Sequence, residues 1–476
     1  MKNLALFILI VALALVGCAP QDRTAPTSIK VPEKKKVAET PLPKEPQLSK
    51  LPLGEGLLMV RYDSPKQLHL LTVVDPANGH ELAGRAPIPL GQDYSFDLSP
   101  NHKHLAIAPY DAIGSPHADK LLLINLENWS TQTIDLGLNY WTASAITFSH
   151  DGSLIALATS NTDSKIMIVD VLQGKLLRTG KAGLTVYQMQ FSDDNSALMT
   201  YTIPQNSLDS GVTSGDLQVG LIDVADLSQR WQASLPGIRS GLYRVEGTTG
   251  DLHTPGNSEH VTPGVAFSPT DDILYIVNAE KDELTSVDFA AQTVETKTIQ
   301  TKLSWIEQLL SIGTTTARAK ILNGHEKRLL VSPDGQTLYI AGMRHEYIVK
   351  KNGEEFKMTP LGLQIVRAAD AVQTTRIETE SNDMSLSSDG KWLYLHTWGS
   401  TVPATDVFDT ASGKLTTSIQ DAYLRPTHYL DGRPVLVSDY TEGDKKTTLA
   451  IFSPNSPKPD AIWTVDEFVW WLAALP

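Results

Sequence analysis

Between residues 330 and 343 the chain reads LVSPDGQTLYIAGM, an apolar run, a polar turn, and a second run in which apolar positions return. Pro333 presets φ for a type I turn, Asp334 bonds its own backbone, and Gly335 takes the left-handed position that closes it. The flanking runs predict two half-buried strands joined as a β-hairpin. Versions of the phrase return from Phe96 (FDLSPNHKHLAIA), Ile146 (ITFSHDGSLIALA), Met189 (MQFSDDNSALMTY), Val265 (VAFSPTDDILYIV) and Met384 (MSLSSDGKWLYLH), with a fainter one from Thr427. A third apolar run follows each hairpin and mostly ends in aspartate, as at Asp75, Asp170, Asp223, Asp288 and Asp409. Turns such as Asp75–Gly79 and Asp409–Gly413 then lead into a fourth strand.

Four short strands per unit, recurring every 43 to 76 residues (Ser149 to Ser192, Ser192 to Ser268), predict an all-β fold, a single β-propeller. One such unit cannot bury both of its faces, so the units stack around an axis and share a core. The second-to-fourth strands appear eight times, so eight blades are expected, with seven as the alternative. The first copy, LLMVRY, LHLLTVVD and ELAGRAP, lacks its own first strand, and the C-terminal FVWWLAAL is expected to supply it and close the ring.

The phrasing resembles the YVTN/WD-like propellers of extracytoplasmic bacterial proteins, a group that includes amine-dehydrogenase-like chains. Ser268-Pro269, the run Leu274 to Asn278, Ser332 to Gly335 with Leu338-Tyr339, and Asp389-Gly390 with Leu393-Tyr394 carry this resemblance, which covers most of residues 51–476. The Trp-Asp dipeptide of true WD repeats is absent. The motif speaks to fold and is nearly silent on function.

Composition changes the picture mainly at the N-terminus. Of the 476 residues, 41% are hydrophobic, as in an ordinary globular protein. Forty basic residues against 54 acidic ones give a net charge of −14. Residues 19–50 hold seven Lys/Arg and four Asp/Glu, a net +3, while residues 51–476 hold 32 against 50, a net −18. A body this acidic argues against a nucleic-acid partner. Lys2 precedes an apolar run from Leu4 to Val16, with the layout of a secretory signal and too short to span a bilayer comfortably. Leu15-Val16-Gly17-Cys18 resembles a bacterial lipobox. That resemblance implies residues 1–17 as a lipoprotein signal peptide and Cys18, the sole cysteine, as the lipidated residue. With Ala19 after it, the family pattern implies an outer membrane where one exists. Residues 18–50, rich in Pro, Lys, Glu, Thr and Ser, cannot bury enough surface to fold and are expected to form a tether below the propeller at 51–476.

Loops between strands one and two, and three and four, share one face of a propeller and here are short. The long insertions Tyr110–Lys120, Pro204–Asp216, Gly237–Thr262, Thr301–Lys327 and Arg344–Pro360 all join strands two and three or successive blades, so all fall on the other face. Long loops cost entropy to order and are often binding elements. The candidate binding face therefore includes Asp111, His117 and Asp119 in the first insertion and Asp209 in the second. His253 and His260 lie in the third, Trp305 in the fourth, and Arg344 and His345 in the fifth. Trp305 belongs to Ser304–Ile312, whose apolar spacing predicts a short amphipathic helix.

No nucleophile elbow, zinc-protease motif or phosphate-binding glycine loop is present, and the twelve histidines show no metal spacing. In a strand, Glu326 and His325 would point to opposite faces, as would Glu346 and His345. No cofactor and no metal are expected, and an enzyme is the minority reading. The chain reads as a lipid-anchored extracytoplasmic propeller, a binding or assembly module for an envelope protein or small ligand. The alternative is an enzyme or cofactor-dependent subunit, resembling lactonase and quinoprotein dehydrogenase propellers, with its site in the central funnel.

Overall fold

The computed structural model describes residues 56–63, 68–90, 94–110, 120–137, 143–159, 164–203, 215–245, 249, 257–301, 322–350, 353–379, 381, 383–387, 389–396, 404–420, 429–430, 433–437, 446–466 and 468–474. The signal peptide, Cys18, the tether and Ser304–Ile312 lie outside them. Every regular element among the described residues is a strand.

The strands form eight sheets in chain order, seven of them four-stranded blades. Sheet one takes β1 (Leu57–Asp63), β2 (Leu68–Val74) and β3 (Ile88–Leu90). Sheet two takes β4 (Ser95–Leu98), β5 (His104–Tyr110), β6 (Lys120–Asn125) and β7 (Thr131–Asp135). Sheet three takes β8 (Ala143–Phe148), β9 (Leu154–Thr159), β10 (Lys165–Asp170) and β11 (Lys175–Lys181). Sheet four takes β12 (Thr185–Phe191), β13 (Ala197–Ile203), β14 (Leu217–Asp223) and β15 (Gln229–Leu235). The connection to sheet five carries β16 (Gly241–Arg244) and β17 (Ser258–Thr262). Sheet five itself is β18 (Gly264–Phe267), β19 (Ile273–Val277), β20 (Glu283–Asp288) and β21 (Thr293–Thr298).

After β22 (Gln300–Thr301), sheet six is built on β23 (Leu322–Val331), β24 (Thr337–Lys350), β25 (Gly353–Arg367) and β26 (Val372–Ile377). Sheet seven takes β27 (Asp383–Leu386), β28 (Trp392–His396), β29 (Ala404–Asp409) and β30 (Lys414–Gln420). Sheet eight takes β31 (Tyr429–Leu430), β32 (Arg433–Val437), β33 (Lys446–Phe452) and β34 (Pro459–Asp466), and the chain ends in β35 (Phe468–Ala474). β35 returns to pair antiparallel with β1, completing sheet one in the order β3-β2-β1-β35 as the sequence anticipates. The fourth strand of sheet one is Ile88–Leu90, not ELAGRAP, of which only Glu81 bridges to Val74. Glu81 instead takes the guanidinium of Arg61 at 2.7 Å.

Eight apolar clusters lie between neighbouring sheets and join them into a ring. Leu71 of sheet one packs with Leu105 of sheet two, Leu121 with Leu157 of sheet three, and so on round to Leu449 of sheet eight against Leu57. Each buried leucine removes roughly 1.5–3 kcal/mol of apolar surface from water, a gain no blade realises without a neighbour on each side.

The repeated turn explains its own spelling. Ser149, Ser192, Ser332 and Ser387 are buried; each hydroxyl accepts the N–H five residues on and donates to the aspartate two residues on. In Ser99 the partner is Asn101. These bonds hold Asp151, Asp194 and Asp334 below the usual carboxylate range. Asp389, which also meets Lys391, is lowered to about 2. The position after the aspartate is left-handed, with Gly335 at φ 71°, but His102 and Asn195 also occupy it, at 56° and 57°.

Candidate functional site

The described parts of the insertions of the sixth unit and its neighbours form strands. β24 and β25 continue past the ring as one antiparallel hairpin, paired out to Lys350↔Gly353, and this hairpin absorbs the expected insertion Arg344–Pro360. β23 begins inside the Thr301–Lys327 insertion and follows β24 outward to Leu322↔Tyr347. From Gly237–Thr262 comes the hairpin β16–β17, and β17 joins β23 in parallel at Val261↔His325 and Thr262↔Glu326. With β22 on β26, the result is one seven-stranded sheet, ordered β16-β17-β23-β24-β25-β26-β22. Three of the five insertions thus merge into one surface. Residues 111–119 and 204–214, which hold Asp111, His117, Asp119 and Asp209, lie outside the described residues, as do His253 and Trp305.

Alternation sorts the side chains of this extension onto two faces. On the face toward sheet five, His325 stands opposite Arg344, and Arg344 holds Glu346 at 2.8 Å. β17 and β16 place Glu259 and Tyr243 on the same side. Arg239 bridges Glu259 and Glu280, the latter at 3.0 Å, and its guanidinium lies 4.1 Å from the centre of the Tyr243 ring. Burial works against the Arg239 charge, but the two carboxylates outweigh it and raise its pKa. Burial lowers the pKa of His325, and the Arg344 charge adds to the effect against Glu280 and Glu259. Burial and the Arg344 charge thus favour the neutral imidazole of His325 among paired charges.

The opposite face carries Glu326, Arg328, His345, His260 and Met358. His345 lies 3.6 Å from Glu326, which also receives Arg328 at 3.1 Å. The His345 contact, followed by the Arg328 charge, outweighs burial and holds Glu326 below the usual glutamate range. Arg328 reaches on to Asp383 of sheet seven at 2.5 Å. Gly324 sits between the two histidine-bearing strands, where a Cβ would lie 3.2 Å from both the His260 carbonyl and the His345 Cβ.

Of the nine candidate face residues, the structure therefore brings His260 and His345 to one side of the sheet and turns Arg344 to the other. The neighbours Glu326 and His325 do point apart, as alternation requires, but Glu326 finds a histidine across the ladder in His345. Arg239, Tyr243, Glu259 and Glu280 gave no sequence signal, because the register joining β17 to β23 links segments some sixty residues apart. One local signal did exist: Asn352-Gly353 between strand-like runs is a hairpin signature. Among the described residues no group of three His, Cys, Asp or Glu side chains is placed to hold a metal.

No protein-family model matches the chain, and no curated protein matches its sequence. Solved structures do. The dihydro-heme d1 dehydrogenase NirN, in complex with DHE, aligns over 90% of this chain and 77% of its own, at 11% identity and a TM-score of 0.53. A eukaryotic initiation factor covers 89% and 98% at 12% identity, TM-score 0.48. Periplasmic gluconolactonase PpgL of Pseudomonas aeruginosa covers 77% and 95% at 12% identity, TM-score 0.40. The likeness is one of fold.

Proposed function

We propose that this protein is a lipid-anchored extracytoplasmic propeller that captures a partner through the seven-stranded sheet. Cys18 holds it to the membrane, the outer one where the cell has two, and residues 19–50 act as the spacer. The supporting observation is that three separate insertions fold into a single charged sheet, where unselected loops would have no reason to share hydrogen bonds. Strands built beyond the core present side chains at fixed spacing, and a rigid surface loses little entropy on binding. The partner is an envelope protein or a small ligand, and no nucleic acid is involved. The test is capture from crosslinked cells with H345A and M358D, both on the face away from sheet five. Loss of a stoichiometric envelope protein with unchanged folding supports the reading; unchanged capture overturns it. Deleting Gly237–Thr262 is a poorer probe, because Ile238 and Val261 of that segment are buried.

A second reading, an enzyme or cofactor-dependent subunit with its site on the axis, draws on Asp97. It lies on β4, the first strand of sheet two, and burial raises its carboxyl to about 6. Its oxygens accept the N–H groups of Leu98 and of Phe148 in sheet three, both at 2.9 Å, so it also fastens two sheets together. Ligand or metal density on the axis in a crystal of the native protein would favour this reading over capture.

A further inference from the structure

At the foot of the seven-stranded sheet, against the Lys281–Asp282 turn of sheet five, lies a cavity of about 130 Å³. Its walls are Asp282, Lys327, Gln364, Arg376, the apolar side chains of Ile340 and Leu361, and the chain at Ala341, whose own side chain packs toward sheet seven. Gly342 and Gly362 open it. The β24–β25 register shifts between Ala341 and Met343, so that Gly342 stands against two residues of β25, Leu361 and Gly362. A Cβ at Gly342 would meet the Glu326 carbonyl at 2.6 Å, and one at Gly362, where φ is +75°, would meet the Ile377 carbonyl at 2.9 Å. The space is thus set by backbone that side chains cannot enter.

Two polar groups are sealed into these walls. The Lys327 side chain is 7% exposed, and its ammonium donates to the Lys281 carbonyl at 2.8 Å and to Asp282 at 3.2 Å. An ammonium carries three donors, so one proton remains beyond these two bonds. Gln364 is also 7% exposed, and its carbonyl oxygen has no hydrogen-bond partner. A buried acceptor left unmade costs about 1–3 kcal/mol, so something that donates to it is favoured. Arg376 is the second cation. It gives one bond to the Leu361 carbonyl at 3.2 Å and one to Glu378 at 2.7 Å, but Glu378 is 80% exposed and yields readily to a competitor. Two cations face one lining carboxylate, Asp282.

We propose that this cavity binds a small organic carboxylate bearing an O–H or N–H donor next to the carboxyl group. The carboxylate pairs with Lys327 and Arg376, the donor satisfies Gln364, and a short aliphatic group lies on Ile340 and Leu361. A cavity of about 150 Å³ accepts a six-carbon ring, so the ligand has roughly half a dozen heavy atoms. Free hydroxy or amino acids and the C-terminal residue of a peptide share this chemistry.

The test is calorimetric titration of the intact chain with L-lactate, L-alanine, acetate, propionamide and inorganic phosphate, to about 10 mM, as suits so small a ligand. Lactate or alanine should bind, acetate more weakly, and propionamide not at all. K327M should weaken binding at least about tenfold, since a desolvated charged pair is lost. Q364M should abolish the advantage of lactate over acetate. If K327M does not fold, R376Q, at the rim, decides instead. No carboxylate binding, binding indifferent to K327M and R376Q, or binding of phosphate in place of carboxylates overturns the proposal. An alanine dipeptide with a free terminus, compared with its amide, separates the two sources of the same group. The site stands independently of partner capture: M358D should lose the partner and keep the carboxylate, and K327M the reverse.

Discussion

Sheets three and six begin alike and end differently. Sheet three has strands of six or seven residues and is apolar on both sides, packed against sheets two and four. The lower half of sheet six does the same with Leu329, Leu338, Ile340 and Val366 toward sheet five and Leu363 toward sheet seven. β24, however, has 14 residues against six in β9, about 46 Å against about 20 Å at the usual rise per residue. Over the excess length the apolar alternation gives way to Arg344, His345 and Glu346. One ladder therefore serves two purposes, a core below and a surface above, with the bulge opposite Gly342 marking the join. A propeller gains a second surface here by letting its strands run on.

The largest effects are expected in the regular sheets. Leu157→Ala should cost about 3 kcal/mol or more, read as a fall in the denaturant midpoint, because rigid sheets on both sides cannot close the void. Ser149→Ala should cost about 1–3 kcal/mol by leaving the Leu154 N–H without its acceptor, and the same change at Ser387 should match it. In contrast, His345→Ala should move stability by no more than about 0.5–1 kcal/mol while removing partner capture.

Titrations sharpen the contrast. Asp97 has a raised folded-state pKa, so it binds its proton more tightly when folded; its contribution is full below the unfolded value near 4 and fades as pH rises through about 6. The turn aspartates have lowered values and behave oppositely, helping above the ordinary carboxylate range and failing as pH falls toward 2. Stability measured from pH 2 to 7 should show both limbs, and D97N should remove only the upper one. In the extension, R344Q should raise the pKa of His325 in an NMR titration, since the guanidinium charge now helps hold it down. The smallest effect is a gain. Gln292 sits exposed at φ 56°, and Gln292→Gly should add up to about 1 kcal/mol by removing left-handed strain.

The ring was legible because its rules are local. A buried serine, an aspartate two residues on and a left-handed residue after it lie within four positions, and strand alternation extends them on both sides. The closing strand could be read from a missing first strand at one end and an unassigned apolar run at the other. What escaped was pairing at long range. Nothing near Val261 announces His325 as its neighbour, and nothing near Arg239 announces that Glu259 and Glu280 will straddle it. The cavity was equally hidden, because it depends on a bulge in one strand and on a turn from another sheet. Asn352-Gly353 was the one overlooked local cue in the sequence, next to the last described pair of the hairpin, Lys350↔Gly353.

The union of β35 with β1 sets a clock on synthesis. Leu57–Asp63 is made some 400 residues before Phe468–Ala474, a delay of roughly 20–80 s at ~5–20 residues per second. Throughout that interval the inner edge of sheet one lacks its partner, and the Trp463 indole has not yet reached the Pro76 carbonyl that it bonds at 3.0 Å. Strand β1 is made early and completed late, so the nascent chain carries an open β edge until β35 is in place.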